Sequence, residues 1–190
     1  MQIINTAIQE VKIIEPKIFG DARGYFFESW NLNKYREIGI DCNWVQDNES
    51  KSRFGVLRGL HFQAAPYTQA KLVRVIEGAV LDVALDIRKN SPTFGQHVAV
   101  ELSGENKRQL FVPRGFAHGF VVLSESVTFA YKCDNLYMPS HERGIAFNDP
   151  ALGIDWKVNL SEYILSEKDT RNPLLAEAEV FDLNNPEYLQ

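Results

Sequence analysis

The chain has 190 residues and carries 20 Lys and Arg against 25 Asp and Glu, which gives a net charge of −5. This length favours one domain with a full hydrophobic core, and the acidic balance argues against a general nucleic-acid-binding protein, which needs a broad basic surface. No apolar stretch approaches the roughly 20 residues of a membrane span, so we expect no membrane partner.

The cysteines and the first residues of the sequence indicate a cellular compartment. Cys42 and Cys133 lie far apart and form no CxxC pair, which argues against a disulfide scaffold or a thiolate zinc site. The opening Met-Gln-Ile-Ile-Asn lacks the basic and apolar segments of a signal peptide. We therefore expect a cytoplasmic protein.

One short helix and several strands are predicted, in chain order. Residues Leu32–Ile38 are predicted as a short helix that stops at Gly39. Apolar and polar residues then alternate with a period of two over 81–87, 97–102 and 127–132, which is typical of strands with two different faces. Gly and Pro separate these stretches, and many short strands at such spacing predict an antiparallel sandwich or barrel.

A histidine between apolar residues is the first candidate for chemistry. His61 lies in GVLRGLHFQ (55–63), where partial desolvation would favour the neutral imidazole that a general base needs. The alternative is a core histidine bonded to a backbone carbonyl. Arg58 falls on the opposite face of a regular strand, unless Gly59 forms a bulge that re-aims one of the two side chains.

Two further polar residues fall on apolar strand faces. Lys71 shares the parity of Val73, so it is either a strand-end lysine that reaches solvent or a fixed positive charge for an oxyanion. Tyr131 is either a satisfied core tyrosine or a proton donor. A PxGxxH sequence predicts a tight turn that delivers His118 at the start of an apolar strand.

Six segments of the chain together are similar to one known family. They are FGDARGYFFESW (19–30), GVLRGLHFQ (55–63), QAKLVRVIEGAVLDVALDIR (69–88), FVPRGFAHGF (111–120), YKCDNLY (131–137) and LSEKD (165–169). In this order they resemble the dTDP-4-dehydrorhamnose 3,5-epimerase family over roughly residues 5–180. PxGxxH alone would indicate only the wider cupin superfamily, and the HxH motif of metal-binding cupins is absent from the sequence.

The resemblance implies a fold, an assembly and a reaction. The fold is an all-β, cupin-type jelly roll with a few short helices, a single domain over 1–190 with its core at about 5–180 and a C-terminal tail packed on it. The assembly is a homodimer that exchanges strands, and neither a metal nor a cofactor is expected. The substrate is dTDP-4-dehydro-6-deoxy-D-glucose, a dTDP-4-keto-6-deoxy-hexose, which is epimerised at C3 and C5 to dTDP-4-dehydro-L-rhamnose in dTDP-L-rhamnose biosynthesis.

By the same resemblance, four residues carry the chemistry. His61 matches the family's base and Tyr131 its acid, while Lys71 matches the lysine near the C4 carbonyl. Asp169 matches the carboxylate that pairs with the histidine. Because Ser166 and Asp169 also have the spacing of a capping box, Asp169 can instead serve as a cap, or its two oxygens can divide the tasks.

The resemblance also implies a set of binding residues. Positions that match the nucleotide-sugar-binding residues of the family are Arg23, Glu28, Gln46, Asn48, Arg58, His118, Glu142 and Lys168, with Phe19 and Tyr137 as aromatic neighbours of the nucleotide. The sequence departs from the family pattern at Glu49 and Lys51, beside the implied site, where His and Arg are expected.

Other functions stay open from the sequence. A 3- or 5-mono-epimerase on a related dTDP-4-keto-6-deoxy sugar would use the same acid and base, and a 3,4-ketoisomerase would move the carbonyl on the same fold. A non-catalytic nucleotide-sugar-binding protein or a metal-dependent cupin belongs to a different class. The joint presence of His61, Tyr131 and Lys71 argues against simple binding.

Overall fold

A computed structural model describes residues 1–189 as a sandwich of two antiparallel sheets with few helices. The elements are β1 (Gln2–Asn5), β2 (Lys12–Glu15), β3 (Phe19–Asp21), β4 (Gly24–Phe26), α1 (Leu32–Glu37), β5 (Gln46–Arg53), β6 (Leu57–Gln63), β7 (Lys71–Glu77), β8 (Ala79–Asp86), β9 (Arg88–Lys89), β10 (His97–Ser103), β11 (Gln109–Val112), β12 (Phe116–Val122), β13 (Ser126–Cys133), β14 (Glu142–Gly144) and β15 (Phe181–Asp182). Short 3-10 helices span Pro139–His141, Leu160–Glu162, Asp169–Arg171, Leu175–Glu177 and Glu187–Leu189.

Two large sheets form the sandwich. One has six strands in the order β1-β2-β11-β7-β13-β5, and the other has five in the order β10-β8-β12-β6-β14. Two smaller sheets are the β3–β4 hairpin and the parallel β9–β15 pair. The predicted strands at 81–87, 97–102 and 127–132 are confirmed as β8, β10 and β13, and so is the all-β class.

The inner core lies between the two large sheets. Val73 and Phe129 from the six-stranded sheet meet Ala84 and Phe120 from the other sheet. The rings of Phe120 and Phe129 stack with their centroids 4.3 Å apart, a geometry worth about 0.5–1.5 kcal/mol beyond the burial itself. The alternation that predicts the strands therefore also orients this core.

The outer face of the five-stranded sheet is covered by the chain after β14. Leu81, Val83 and Leu85 belong to an apolar cluster on this face. The residues of the later chain that complete the cluster are Ile145, Phe147, Leu152, Trp156, Phe181 and Tyr188. Because β8 is covered on both sides, seven of its eight residues are buried. This packing holds the C-terminal segment close to β6.

The helix α1 covers part of the outer face of the six-stranded sheet. Its Tyr35 is buried and its hydroxyl donates to Oε1 of Gln109 at 3.0 Å. The helix ends at Glu37, and Gly39 follows with φ of +80°, so the predicted helix and its stop are confirmed. Within residues 1–189 no helix combines the length and the apolar composition that crossing a membrane requires.

Candidate active site

A cavity of about 690 Å³ opens between the two large sheets. This volume lies in the range of small-molecule sites. The predicted site residues that line it are Gln46, Asn48, Arg58, His61, Lys71, His118, Tyr131, Tyr137, Glu142, Lys168 and Asp169. The structure therefore brings together residues that are up to 123 positions apart, from Gln46 to Asp169.

The closest pair of ionisable groups in the cavity is His61 and Asp169. Nε2 of His61 is hydrogen-bonded to Oδ1 of Asp169, and their side chains are 22% and 2% exposed. Oδ2 of Asp169 accepts a hydrogen bond from Oγ of Ser166 at 2.8 Å, and the Asp169 N–H donates to the same Oγ at 3.2 Å. One carboxylate oxygen thus pairs with His61 and the other accepts from the Ser166 hydroxyl, while the cap of a backbone N–H comes from Ser166 and not from Asp169.

The environment of Asp169 favours its charged form. Burial alone would raise the pKa of this carboxyl, but the hydrogen bonds from His61 and Ser166 outweigh it and hold the pKa below its usual value. An ionised carboxylate at Nε2 orients the ring of His61 and stabilises its protonated form. Nδ1 of His61 makes no hydrogen bond with the residues that the structure describes.

A bulge in β6 places Arg58 and His61 on the same cavity wall. His118 of β12 is paired with His61, and Phe120 with Arg58, so one residue of β12 faces two residues of β6. The single residue is Gly119, where an added Cβ would lie 2.8 Å from the carbonyl oxygen of Arg58. The close approach of the strands requires a glycine there, and the bulge suspected from the sequence is confirmed.

Lys71 stands at the start of β7 and its side chain lines the cavity. Its ammonium makes no hydrogen bond or ion pair with the side chains and backbone groups that the structure describes. Burial lowers its pKa, while the nearby Cys133, Asp82 and Glu142 oppose this shift. An ammonium without a protein acceptor is available to a ligand oxygen in the cavity.

Tyr131 approaches the same space from the neighbouring strand. In the β13–β7 pair Tyr131 lies opposite Val73, next to the pair of Cys133 with Lys71. Burial is the main cause of the raised pKa of the Tyr131 phenol, so it holds its proton at neutral pH. The hydroxyl can therefore donate a proton.

A second histidine–carboxylate pair joins the cavity wall to the buried sheet behind it, because His118 lines the cavity and Asp82 does not. Nε2 of His118 donates to Oδ1 and Oδ2 of Asp82 at 2.9 and 3.0 Å. Asp82 is completely buried and was missed by the sequence interpretation, which placed it on the polar face of a strand. The available signal was an aspartate flanked by apolar residues on both sides, between Leu81 and Val83.

Three residues form a bridge at the cavity wall. Glu142 accepts hydrogen bonds from the Tyr137 hydroxyl at 2.9 Å and from the Lys168 ammonium at 2.7 Å. Burial would raise the pKa of Glu142, but these bonds lower it overall, and the bond to Glu142 raises the pKa of Tyr137. The bridge joins β14 to the C-terminal segment that carries Asp169.

Polar side chains of β5 and β6 complete the wall. Nε2 of Gln46 donates to Oδ1 of Asn48 at 2.9 Å, and Oε1 of Gln46 accepts from the Tyr137 N–H at 2.9 Å. The guanidinium of Arg58 donates to Oγ of Ser52 at 3.1 and 3.3 Å. These contacts leave other donor and acceptor positions of the three side chains for a ligand.

Three predicted binding residues lie outside the cavity of this chain. Arg23 is 90% exposed and pairs with Asp21 at 2.6 Å in the β3–β4 hairpin. Glu28 pairs with Lys34, and Phe19 is exposed at the start of the hairpin. None of the three lines the cavity, so one chain does not assemble the whole predicted set.

The family model described as dTDP-4-dehydrorhamnose 3,5-epimerase matches residues 5–177. The chain belongs to this family. A dTDP-4-dehydrorhamnose 3,5-epimerase of Salmonella typhimurium is 58% identical over 180 residues, which cover 94% of this chain and 97% of the relative. The predictions of the family and of an isomerase are confirmed.

Solved structures of the family share the fold. One is dTDP-6-deoxy-D-glucose-3,5-epimerase from Legionella pneumophila in complex with dTDP-4-keto-L-rhamnose, with a TM-score of 0.90, 56% identity and 93% of each chain covered. Another is the dTDP-4-dehydrorhamnose 3,5-epimerase of Bacillus anthracis with TDP and PPi bound, with a TM-score of 0.88, 45% identity and coverage of 91% of this chain and 98% of that one. The cupin-type jelly roll is confirmed for this family member.

Among the side chains that the structure describes, no group of three or more His, Cys, Asp or Glu is arranged to hold a metal ion. The expected absence of a metal stays a prediction.

Proposed function

We propose that this family member converts dTDP-4-dehydro-6-deoxy-D-glucose into dTDP-4-dehydro-L-rhamnose, with His61, Tyr131, Lys71 and Asp169 as its catalytic machinery. The observation that carries the proposal is their convergence. A histidine paired with a buried carboxylate, an ammonium with no acceptor in the described part of the chain and a buried phenol line one cavity.

The first chemical step removes a proton beside a ketone. The C3 and C5 hydrogens flank the C4 carbonyl, and removal of either leaves an enolate whose charge lies largely on the C4 oxygen. Lys71 stabilises this oxygen, and the loss of such a donor commonly costs ~10²–10³ in rate. His61 accepts the proton through Nδ1, because its Nε2 is occupied by Asp169.

The second step returns a proton to the opposite face of the ring. Tyr131 donates it from its hydroxyl, which inverts the carbon, and an acid or base of this kind contributes roughly 10²–10⁴ in rate. Two inversions with one pair of residues require the sugar ring to shift, or the pair to be recharged from solvent, between steps. The reaction moves only protons and needs no redox cofactor.

A few positively charged side chains in the cavity bind the anionic nucleotide, although the chain as a whole is acidic. Arg58 offers a planar guanidinium suited to diphosphate oxygens, the Lys168 ammonium adds further donors, and His118 lines the same cavity. Gln46 and Asn48 present amide edges that can hydrogen-bond the nucleoside. Glu142 holds Lys168 and Tyr137 in place, and Tyr137 offers a ring for the base.

A second copy of the chain supplies the three residues that lie outside this cavity. The β3–β4 hairpin exposes Phe19, Tyr25 and Phe26 to 54, 60 and 69%, which is unusual for an isolated chain. In the proposed homodimer this hairpin reaches the partner, where Arg23, Phe19 and the nearby Glu28 contact the nucleotide. The two cysteines are free, in keeping with the cytoplasm as the proposed location.

The test is turnover of dTDP-4-dehydro-6-deoxy-D-glucose in D2O, read by NMR. Deuterium at both C3 and C5 supports the proposal, deuterium at one position indicates a mono-epimerase, and a 3-keto carbon indicates a ketoisomerase. We expect His61→Asn to abolish exchange, and Tyr131→Phe to retain some proton removal but lose inversion.

Matched controls are available for both variants. His97→Asn and Tyr67→Phe change the same residue types at positions that do not line the cavity, and both should keep the activity of the unmodified protein. Unchanged turnover in His61→Asn would refute the assigned base. Elution as a monomer at assay concentrations, with full activity, would refute the proposed dimer.

A further inference from the structure

The strand pair behind His61 contains a contact that the proposed mechanism does not use. Gly144 lies directly opposite His61 in the β14–β6 pair. A Cβ atom at position 144 would lie 2.3 Å from Oδ1 of Asn172 and 2.5 Å from both its Cγ and its Nδ2. The carboxamide of Asn172 therefore occupies the space that a side chain at position 144 would fill.

Asn172 is placed to act on the catalytic pair. It is the residue that ends the 3-10 helix Asp169–Arg171, whose first residue holds Nε2 of His61. Nδ2 of Asn172 is buried and finds no hydrogen-bond partner among the described residues. An unpaired buried donor is costly, and the packing of the carboxamide on Gly144 is a contact that can offset this cost.

Hydrogen bonds also hold the chain that follows each residue of this contact. The Ala146 N–H donates to the carbonyl of Pro173 at 2.8 Å, and the Leu175 N–H donates to Oδ2 of Asp149 at 2.8 Å. These bonds join the segment after Asn172 to the segment after β14. The contact of Asn172 with Gly144 is closer to His61 than these two bonds, because Gly144 is the residue of β14 that pairs with His61.

We propose that Asn172, packed on Gly144, is a positioning residue that sets the separation between the Asp169 carboxylate and the His61 ring. The inference rests on the proposed role of His61 as the base. A misplacement of about 1 Å can cost ~10²-fold in rate, so even a small shift of the 3-10 helix is measurable.

The test compares Asn172→Ala, Gly144→Ala and the double variant. We expect kcat to fall about 10-fold in Asn172→Ala and about 100-fold in Gly144→Ala, with KM unchanged. The double variant should return to the level of Asn172→Ala, because the shortened side chain leaves room for the new methyl group. The inference would be overturned if the losses in kcat of the two single variants multiplied in the double variant, or if only KM changed, by rising.

A second readout does not depend on turnover. The proton between His61 and Asp169 should give a downfield 1H resonance, assigned by its loss in His61→Asn. It should move upfield in Asn172→Ala and stay in place in Asn184→Ala, which changes an exposed asparagine that does not line the cavity.

The outcomes separate the inference from the proposed function. An unmoved resonance in Asn172→Ala, with kcat unchanged, would overturn the positioning role alone. Absence of turnover in the unmodified protein would refute the proposed function, while the resonance would still test the geometry. If Gly144→Ala fails to fold, Asn172→Ala decides by both readouts.

Discussion

Replacing Lys71 with methionine should make the protein more stable and nearly inactive. The two side chains have similar length, and the ammonium of Lys71 is desolvated without an acceptor among residues 1–189. Burying an unpaired charge costs folding free energy. Methionine removes this cost, and we expect the free energy of unfolding to rise by about 0.5–2 kcal/mol. Loss of the proposed oxyanion donor should lower kcat about 10²–10³-fold, which corresponds to roughly 2.7–4 kcal/mol of transition-state stabilisation.

The stability gain should depend on pH in a defined direction. Burial lowers the pKa of Lys71 from its usual value of 10.5. The penalty for keeping the ammonium in the folded state is fully present below this lowered pKa. It is relieved as the pH rises through the lowered pKa and is gone above 10.5. The difference between variant and unmodified protein should therefore be largest at neutral pH and shrink in alkali.

Urea unfolding at about pH 7 and about pH 10, together with turnover at neutral pH, measures both effects. Lys132→Met is the matched control, since Lys132 pairs with Asp47 at 2.9 Å and does not line the cavity. It should change the free energy of unfolding by less than about 0.5 kcal/mol and leave kcat unchanged. A Lys71→Met variant that is less stable than the unmodified protein, or that turns over normally, would refute the reasoning.

Two further substitutions test the scaffold. Gly119→Ala should lower the free energy of unfolding by about 1–3 kcal/mol, because the new methyl would lie 2.8 Å from the Arg58 carbonyl oxygen. Urea unfolding measures this change, and an unchanged free energy of unfolding would contradict the close strand approach at the bulge. Asp86→Ala should cost about 3–5 kcal/mol by the same assay, since it leaves Arg88 buried without its main partner. Hydrogen bonds outweigh burial to lower the pKa of Asp86, so its contribution should persist above its usual pKa of 3.8 and disappear as the pH falls through the lowered value.

Much of the fold followed from alternation. The period of two predicted β8, β10 and β13. The shared parity of Lys71 and Val73 indicated that the Lys71 side chain points into the space between the sheets, where it lines the cavity. These patterns are readable because a strand with two different faces must repeat its burial every second residue.

The rest depends on contacts that no local pattern contains. A bulge adds a single residue to one strand, so the shared wall of Arg58 and His61 was decided only by the pairing of β6 with β12. Asp82 alternates like a solvent-facing residue, yet β8 is covered on both sides and the carboxylate is buried under His118. Burial of a central strand is set by the distant chain that covers it, which alternation does not reveal.

The hairpin residues show a different limit. A sequence gives the order of Phe19, Arg23 and Glu28 but not the chain whose cavity they serve. In one chain the hairpin is exposed and its arginine pairs locally with Asp21. Their proposed contact with the nucleotide is therefore a property of an assembly and not of one chain.

The late position of Asp169 in the chain has a consequence for biosynthesis. Every strand of the two large sheets has been made once β14 ends at Gly144, but the carboxylate that pairs with His61 emerges 25 residues later. A nascent or truncated chain can thus contain the complete sandwich and still lack its paired base. Epimerase activity would then report on synthesis beyond residue 169 and would serve as a sensitive assay for C-terminal truncation, which a measurement of β-sheet content alone would overlook.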